Sequence, residues 1–152
     1  MSAVPLDPSE RRQALAACPV FTGVPPADLG VFAEMLESER FDAGSTLFEK
    51  GDPSDRVYLL ARGRLTVHVP GRPGPVRTLG PGDLLGEYAM FAGRARTATV
   101  RAETDAVLLS VDEPRFRAFL LQFPQATLVL LKTAVERLVA AEAALRAREG
   151  AP

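Results

Sequence analysis

Between Glu39 and Asp83 every apolar stretch is short and ends at a glycine or proline, which restricts the fold more than any other feature of the sequence. The apolar pieces are Phe41, Leu47-Phe48, Val57-Tyr58-Leu59-Leu60, Leu65 to Val69 and Val76 to Leu79. The corners are Ala43-Gly44, Lys50-Gly51-Asp52-Pro53, Arg62-Gly63, Pro70-Gly71 and Gly80-Pro81-Gly82-Asp83. Short strands turned by such corners build a sandwich or a closed roll. Glycine at a bend lets strands turn and approach one another, so Gly51, Gly63 and Gly82 are assigned to turns. Arg72-Pro73-Gly74-Pro75 reads as an exposed hairpin tip.

Helical spacing appears on both sides of this region. Pro8 to Ala17 reads as a short helix capped by Ser9, with Leu15 as its main apolar contact and Cys18-Pro19 as its end. Pro25-Pro26 introduces a second, Ala27 to Ser38, in which Leu29, Phe32, Ala33 and Leu36 recur on one face. After closing strands at Thr97–Glu103 and Ala106–Val111, Asp112-Glu113-Pro114 starts a helix with Phe116, Phe119 and Leu120 on its apolar face. Phe123-Pro124 breaks it. A long last helix follows, Gln125 to Arg148, with Leu128, Leu131, Val135, Leu138 and Leu145 at heptad spacing and Glu142 in the remaining slot. The expected fold class is mainly β with flanking helices, in one domain over 1–152: helices in 1–38, a roll in 39–112, helices in 113–148.

Charge and composition remove several functions. The formal net charge of −1 gives no broad electrostatic attraction for nucleic acid. Cys18 is the single cysteine, so no internal disulfide framework exists, which fits a reducing cytoplasm. It is read as a small core or junction residue. The N-terminal residues lack the basic-then-apolar order of a signal peptide, and no apolar run approaches a membrane span. His68 is the single histidine and is read as an ordinary strand residue, because metal sites in rolls take several His or carboxylate ligands. The same shortage speaks against histidine acid–base catalysis, and no nucleophile motif appears. No metal and no catalytic residue is expected.

Leu85 to Val100 follows a different pattern. Gly86 and Glu87 open it, Tyr88-Ala89-Met90-Phe91 forms a short apolar turn, Ala92-Gly93-Arg94-Ala95 follows, and Arg96-Thr97-Ala98-Thr99 closes it. Gly86 lets the backbone approach a ligand closely. A helical turn after it directs free N–H groups outward, which suits a phosphate. Arg96 adds a planar, permanently charged fork, and Thr97 a hydroxyl and an N–H. Glu87 would repel a phosphate, so it is assigned to ligand hydroxyls such as those of a sugar. Anion, sugar hydroxyl and apolar wall together suggest a nucleotide.

Leu85-Gly86-Glu87-x-Ala89-Met90, five residues, then Arg96-Thr97-Ala98-x-Val100-x-Ala102 resembles the phosphate-binding cassette of the cyclic-nucleotide-binding domain family. Gly51-Asp52, Val57 to Leu60 and Gly63 match a second signature upstream. The resemblance implies a jelly roll that binds cAMP or cGMP without chemistry, cAMP ahead as the commoner bacterial ligand. It implies that Arg96 pairs with the cyclic phosphate beside backbone N–H groups of Gly86, Ala89 and Thr97, and that Glu87 takes the ribose 2′-hydroxyl. Tyr88 and Ala98 complete the ligand-binding set, and Val67, Leu85 and Val100 pack near it. A Thr at position 97 is associated in the family with tolerance of guanine. Arg137, Ala141 and Glu142 lie where the last helix would face the base. The same helix is expected to lid the pocket, to pair with a second copy, or both. Ala95 stands where the family often has proline, so a looser loop is expected. The sequence lacks a helix-turn-helix after the last helix, so direct DNA reading is not expected. The competing reading keeps the fold as an interaction or dimerisation module that no longer binds nucleotide.

Overall fold

The computed structural model describes residues 6–93 and 95–149; Arg94, named above within the cassette, lies outside them. Two four-stranded antiparallel sheets face each other. One has the order β1 (Glu37–Phe41), β8 (Ala106–Asp112), β3 (Arg56–Arg62), β6 (Leu84–Leu85). The other has β2 (Thr46–Phe48), β7 (Thr99–Ala102), β4 (Leu65–His68), β5 (Arg77–Leu79). This is the mainly β roll with flanking helices that the glycine and proline corners imply. The tip Arg72 to Pro75 is exposed between β4 and β5.

Side-chain alternation along β3 and β8 sorts two cores. Leu60 and Leu108 point between the sheets and join Leu65, Leu79, Leu85, Val100, Ala102 and Ala106. Val57, Leu59, Val107, Leu109 and Val111 point the other way, onto the helices. β8 is therefore covered on both faces and reads as a continuous apolar run. The outer core is filled by α1 (Pro8–Ala17), α2 (Pro26–Met35) and α4 (Glu113–Gln122). Phe119 anchors it, with ring centroids 4.6 Å from Phe32, 5.0 Å from Phe123 and 5.2 Å from Phe21. Cys18 is buried there, and burial pushes its thiol up to about 11, so it is a packed core residue.

Two helix boundaries differ from the sequence reading. Asp7, not Ser9, caps α1: its Oδ1 accepts the Glu10 N–H at 2.8 Å, and Ser9 lies inside the first turn. α2 stops at Met35 instead of Ser38, and β1 begins at Glu37 instead of Glu39. The Arg11 guanidinium donates to the carbonyls of Ala33 and Leu36, satisfying helix-end acceptors from outside. Ser38 is then taken into the ladder opposite Leu109. The last helix, α5 (Pro124–Glu149), begins at the proline itself and leaves α4 at a bend of 108°. Proline at a first helical position gives up an N–H that would be unpaired there. No single described helix is long and apolar enough to cross a membrane.

Candidate functional site

β6 pairs with β3 at Leu85 opposite Tyr58 and delivers the chain to Gly86 at the mouth of the roll. Gly86 turns it with φ 87°, a left-handed value that glycine adopts without strain. A Cβ there would sit 2.5 Å from Arg96 Nη1. The short helix α3 (Glu87–Ala92) follows and ends at Gly93.

The return segment is fastened by backbone. Arg96 N–H donates to the Asp52 carbonyl and Gly51 N–H to the Arg96 carbonyl, each at 2.8 Å, and Ala95 bridges Pro53. Lys50 N–H donates to Thr99 Oγ1 at 3.0 Å. The upstream Gly51-Asp52 pair is thus the anchor of the cassette. Asp52 Oδ2, accepting from Glu49 N–H at 2.9 Å, holds that anchor in its turn.

Arg96 is 4% exposed. Its guanidinium donates to the Arg56 carbonyl at 3.0 Å and to the Gly86 carbonyl at 3.4 Å. It lies 4.2 Å from the Phe48 ring centroid and 5.6 Å from that of Tyr58. These rings hold the cation by its face and leave its edge for an anion. Burial shifts its pKa downward, with Tyr58 and Asp55 pulling the other way; guanidinium starts so high that it stays charged. Its Nε is buried without a hydrogen-bond partner among the described residues. A buried donor without a partner costs free energy until an acceptor arrives.

Glu87 is 6% exposed at the start of α3. Burial raises its pKa; Arg137 is the first of the neighbouring cations that oppose the rise, followed by Arg77 and Arg96. Arg137 of α5 stands 3.9 Å from Glu87 Oε1, donates a hydrogen bond to the Tyr88 hydroxyl, and places its guanidinium 5.5 Å from the Tyr88 ring centroid.

Gly86, Glu87, Tyr88, Ala89, Arg96, Thr97 and Ala98 line one cavity of about 200 Å³, together with Val67, Leu85 and Val100. Phe48, Val69, Arg77 and Leu79 complete its wall. The sequence reading placed these last four in strands without assigning them to the site. Arg137 reaches Glu87 and Tyr88 from their far side, within a smaller cavity of about 90 Å³ that also includes Cys18 and Asp83. Ala141 and Glu142 do not join the site: both are exposed on α5, one turn beyond the last residue that touches the cassette. A larger hollow of about 300 Å³, between α1 and α2, holds Arg11, Arg12 and Glu34 and is separate from the cassette. No group of three or more His, Cys, Asp or Glu able to hold a metal occurs among the described residues.

One end of the cavity thus carries a buried cation, the other surfaces are apolar, and one carboxylate sits at the edge of α3. This suits a small ligand with an anionic group, a hydroxyl and a flat apolar body. Residues 38–123 match the family described as the cyclic nucleotide-binding domain. A cyclic nucleotide-gated potassium channel of Mesorhizobium japonicum is 36% identical over 132 residues, which are 87% of this chain and 36% of that protein. A CRP-like cAMP-activated global transcriptional regulator of Mycobacterium tuberculosis is 29% identical over 127 residues, 82% of this chain and 57% of that protein. The crystal structure of the Thermus thermophilus catabolite activator protein superposes with a TM-score of 0.76 at 25% identity, covering 86% of this chain and 63% of that one. The chain therefore spans only part of the length of each of these relatives.

Proposed function

The chain belongs to the cyclic nucleotide-binding domain family, and on that premise we propose that its cavity reversibly binds a 3′,5′-cyclic mononucleotide as the input of a regulatory sensor. The observation that carries this reading is the position of Arg96, buried on two aromatic rings with an unpartnered Nε at the end of the cavity. Arg96 pairs with the cyclic phosphate, beside the N–H groups of Gly86, Ala89 and Thr97. Glu87 accepts from the ribose 2′-hydroxyl, and Val67, Leu85 and Val100 pack against the rest. The module performs no chemistry on its ligand and is assigned to the cytoplasm, without direct nucleic-acid or membrane contact.

Arg137 links input to output. It joins α5 to Glu87 and Tyr88, so a sugar hydroxyl that engages Glu87 competes for the same carboxylate. The ligand shifts α5 only through a difference in its contacts between the two helix positions.

Calorimetric titration with cAMP and with cGMP, repeated on Arg96→Ala, tests the reading. Loss of a desolvated charged partner costs roughly 2–5 kcal/mol, so the variant should lose affinity by orders of magnitude. A folded Arg96→Ala protein that binds normally, or a nucleotide-free wild type that takes up neither ligand, refutes it.

The second reading, an interaction or dimerisation module, is favoured by the apolar stripe on α5. Leu128, Leu131, Val135, Leu138 and Leu145 are each 48–65% exposed. We assign this stripe to a second copy of the chain, a role compatible with ligand binding.

A further inference from the structure

One charged residue of the cavity has no place in the scheme above. Arg77 is on β5, an edge strand, where Arg77 and Leu79 turn to the cavity and Thr78 between them is exposed. Its neighbours across the sheet are fixed by register. Phe48 lies opposite Val100, Val100 opposite Val67, and Val67 opposite Arg77. All four line the cavity, so a single rung of the sheet makes its floor. Strands are about 4.8 Å apart, which puts Phe48 and Arg77 about 14 Å apart at the backbone. Arg96 lies on Phe48 at one end of that floor. Arg77 closes the other, beyond the apolar pair Val100 and Val67.

Arg77 is partly buried and has no hydrogen bond or ion pair among the described residues. Glu87 is the only carboxylate lining the cavity, and it lies close enough to feel the Arg77 charge without forming an ion pair. A ligand with its phosphate on Arg96 and its sugar on Glu87 extends its base along the floor, over Val67, toward Arg77.

The chemistry of that end is one-sided. A guanidinium offers only donors, in a planar fork. Guanine presents N7 and O6 side by side, both acceptors. Adenine presents N7 beside an amino group, so one arm of the fork would face another donor. We propose that Arg77 reads the base, and that it makes the cavity prefer a guanine cyclic mononucleotide to its adenine counterpart. This rests on the cyclic-nucleotide reading of the site, and it reverses the order of the two ligands expected from the sequence.

Titration of wild type, Arg77→Gln and Arg77→Lys with cGMP and with cAMP tests it. Thermal melting of each variant checks the fold, which an edge-strand side chain at the cavity mouth does not hold together. Wild type should bind cGMP more tightly. Both variants should lose about tenfold to a hundredfold in cGMP affinity, with cAMP affinity changed less than about threefold, because a bidentate pair is what discriminates. Equal losses for both nucleotides would make Arg77 a general anion attractor and overturn the proposal. Retention of the preference by Arg77→Lys, which keeps the charge without the fork, would also overturn it, as would a wild type that prefers cAMP. Absence of binding by wild type to either nucleotide is a different result, since it removes the cyclic-nucleotide reading itself.

Discussion

Glu87 combines two demands that conflict in a free protein. A ligand hydroxyl needs an ionised carboxylate in a dry place, and drying a carboxylate favours its protonated form. Its folded pKa lies above the unfolded value because of burial, with Arg137 opposing. The proton is therefore held more tightly in the folded state. Its contribution to stability is complete below the ordinary carboxylate range and is lost as pH rises through the folded value. Glu87→Gln has no such loss. Melting curves between about pH 4 and pH 8 should show the variant gaining on wild type as pH rises, with the gap closing toward the acid end. Parallel curves would contradict this. Arg96 shows the complementary arrangement, a cation that burial disfavours but that two rings and two carbonyls retain.

At the level of elements, the cassette was legible because its residues are contiguous: Gly86, Glu87, Arg96 and Thr97 keep their order whatever the roll does. Phe48 and Arg77 were not legible, because only strand register brings them to one rung with Val67 and Val100. Period-two alternation assigns each to a face of its own strand, but not to a common floor. The end of α2 was misplaced for a similar reason. Its local pattern continues to Leu36, and the group that stops it, Arg11, belongs to another helix. The two cores, by contrast, follow from the alternation itself, and they separate stability from binding. Phe116, 1% exposed on α4, fills the helix-side core and lies away from the cavity wall. Phe116→Ala should cost about 3–5 kcal/mol in urea unfolding. Nucleotide affinity of the remaining folded protein should change little. A large loss of affinity with little loss of stability would show that the cores are not independent.

For the whole molecule, the apolar stripe of α5 sets the expected assembly. Five large side chains at heptad spacing, half or more exposed, form a seam that a second α5 can cover. Sedimentation equilibrium should show concentration-dependent dimers, and Leu131→Glu with Leu138→Glu should return the protein to monomer while leaving its fold intact. A wild type that stays monomeric at high concentration would remove the second copy as partner. Proline 124 gives this helix a further property. Ala126, in its first turn, is its one fully buried described residue, and from there the helix runs beyond the roll. At about 1.5 Å per residue its 26 residues extend about 39 Å. The arm pivots at one end and is tied by Arg137 near its middle, so it works as a lever. A tilt of about 10° at Pro124 carries its far end about 7 Å on that helix length. A hydrogen bond gained or lost at Glu87 becomes, at the tip, a displacement that a neighbouring protein surface can register.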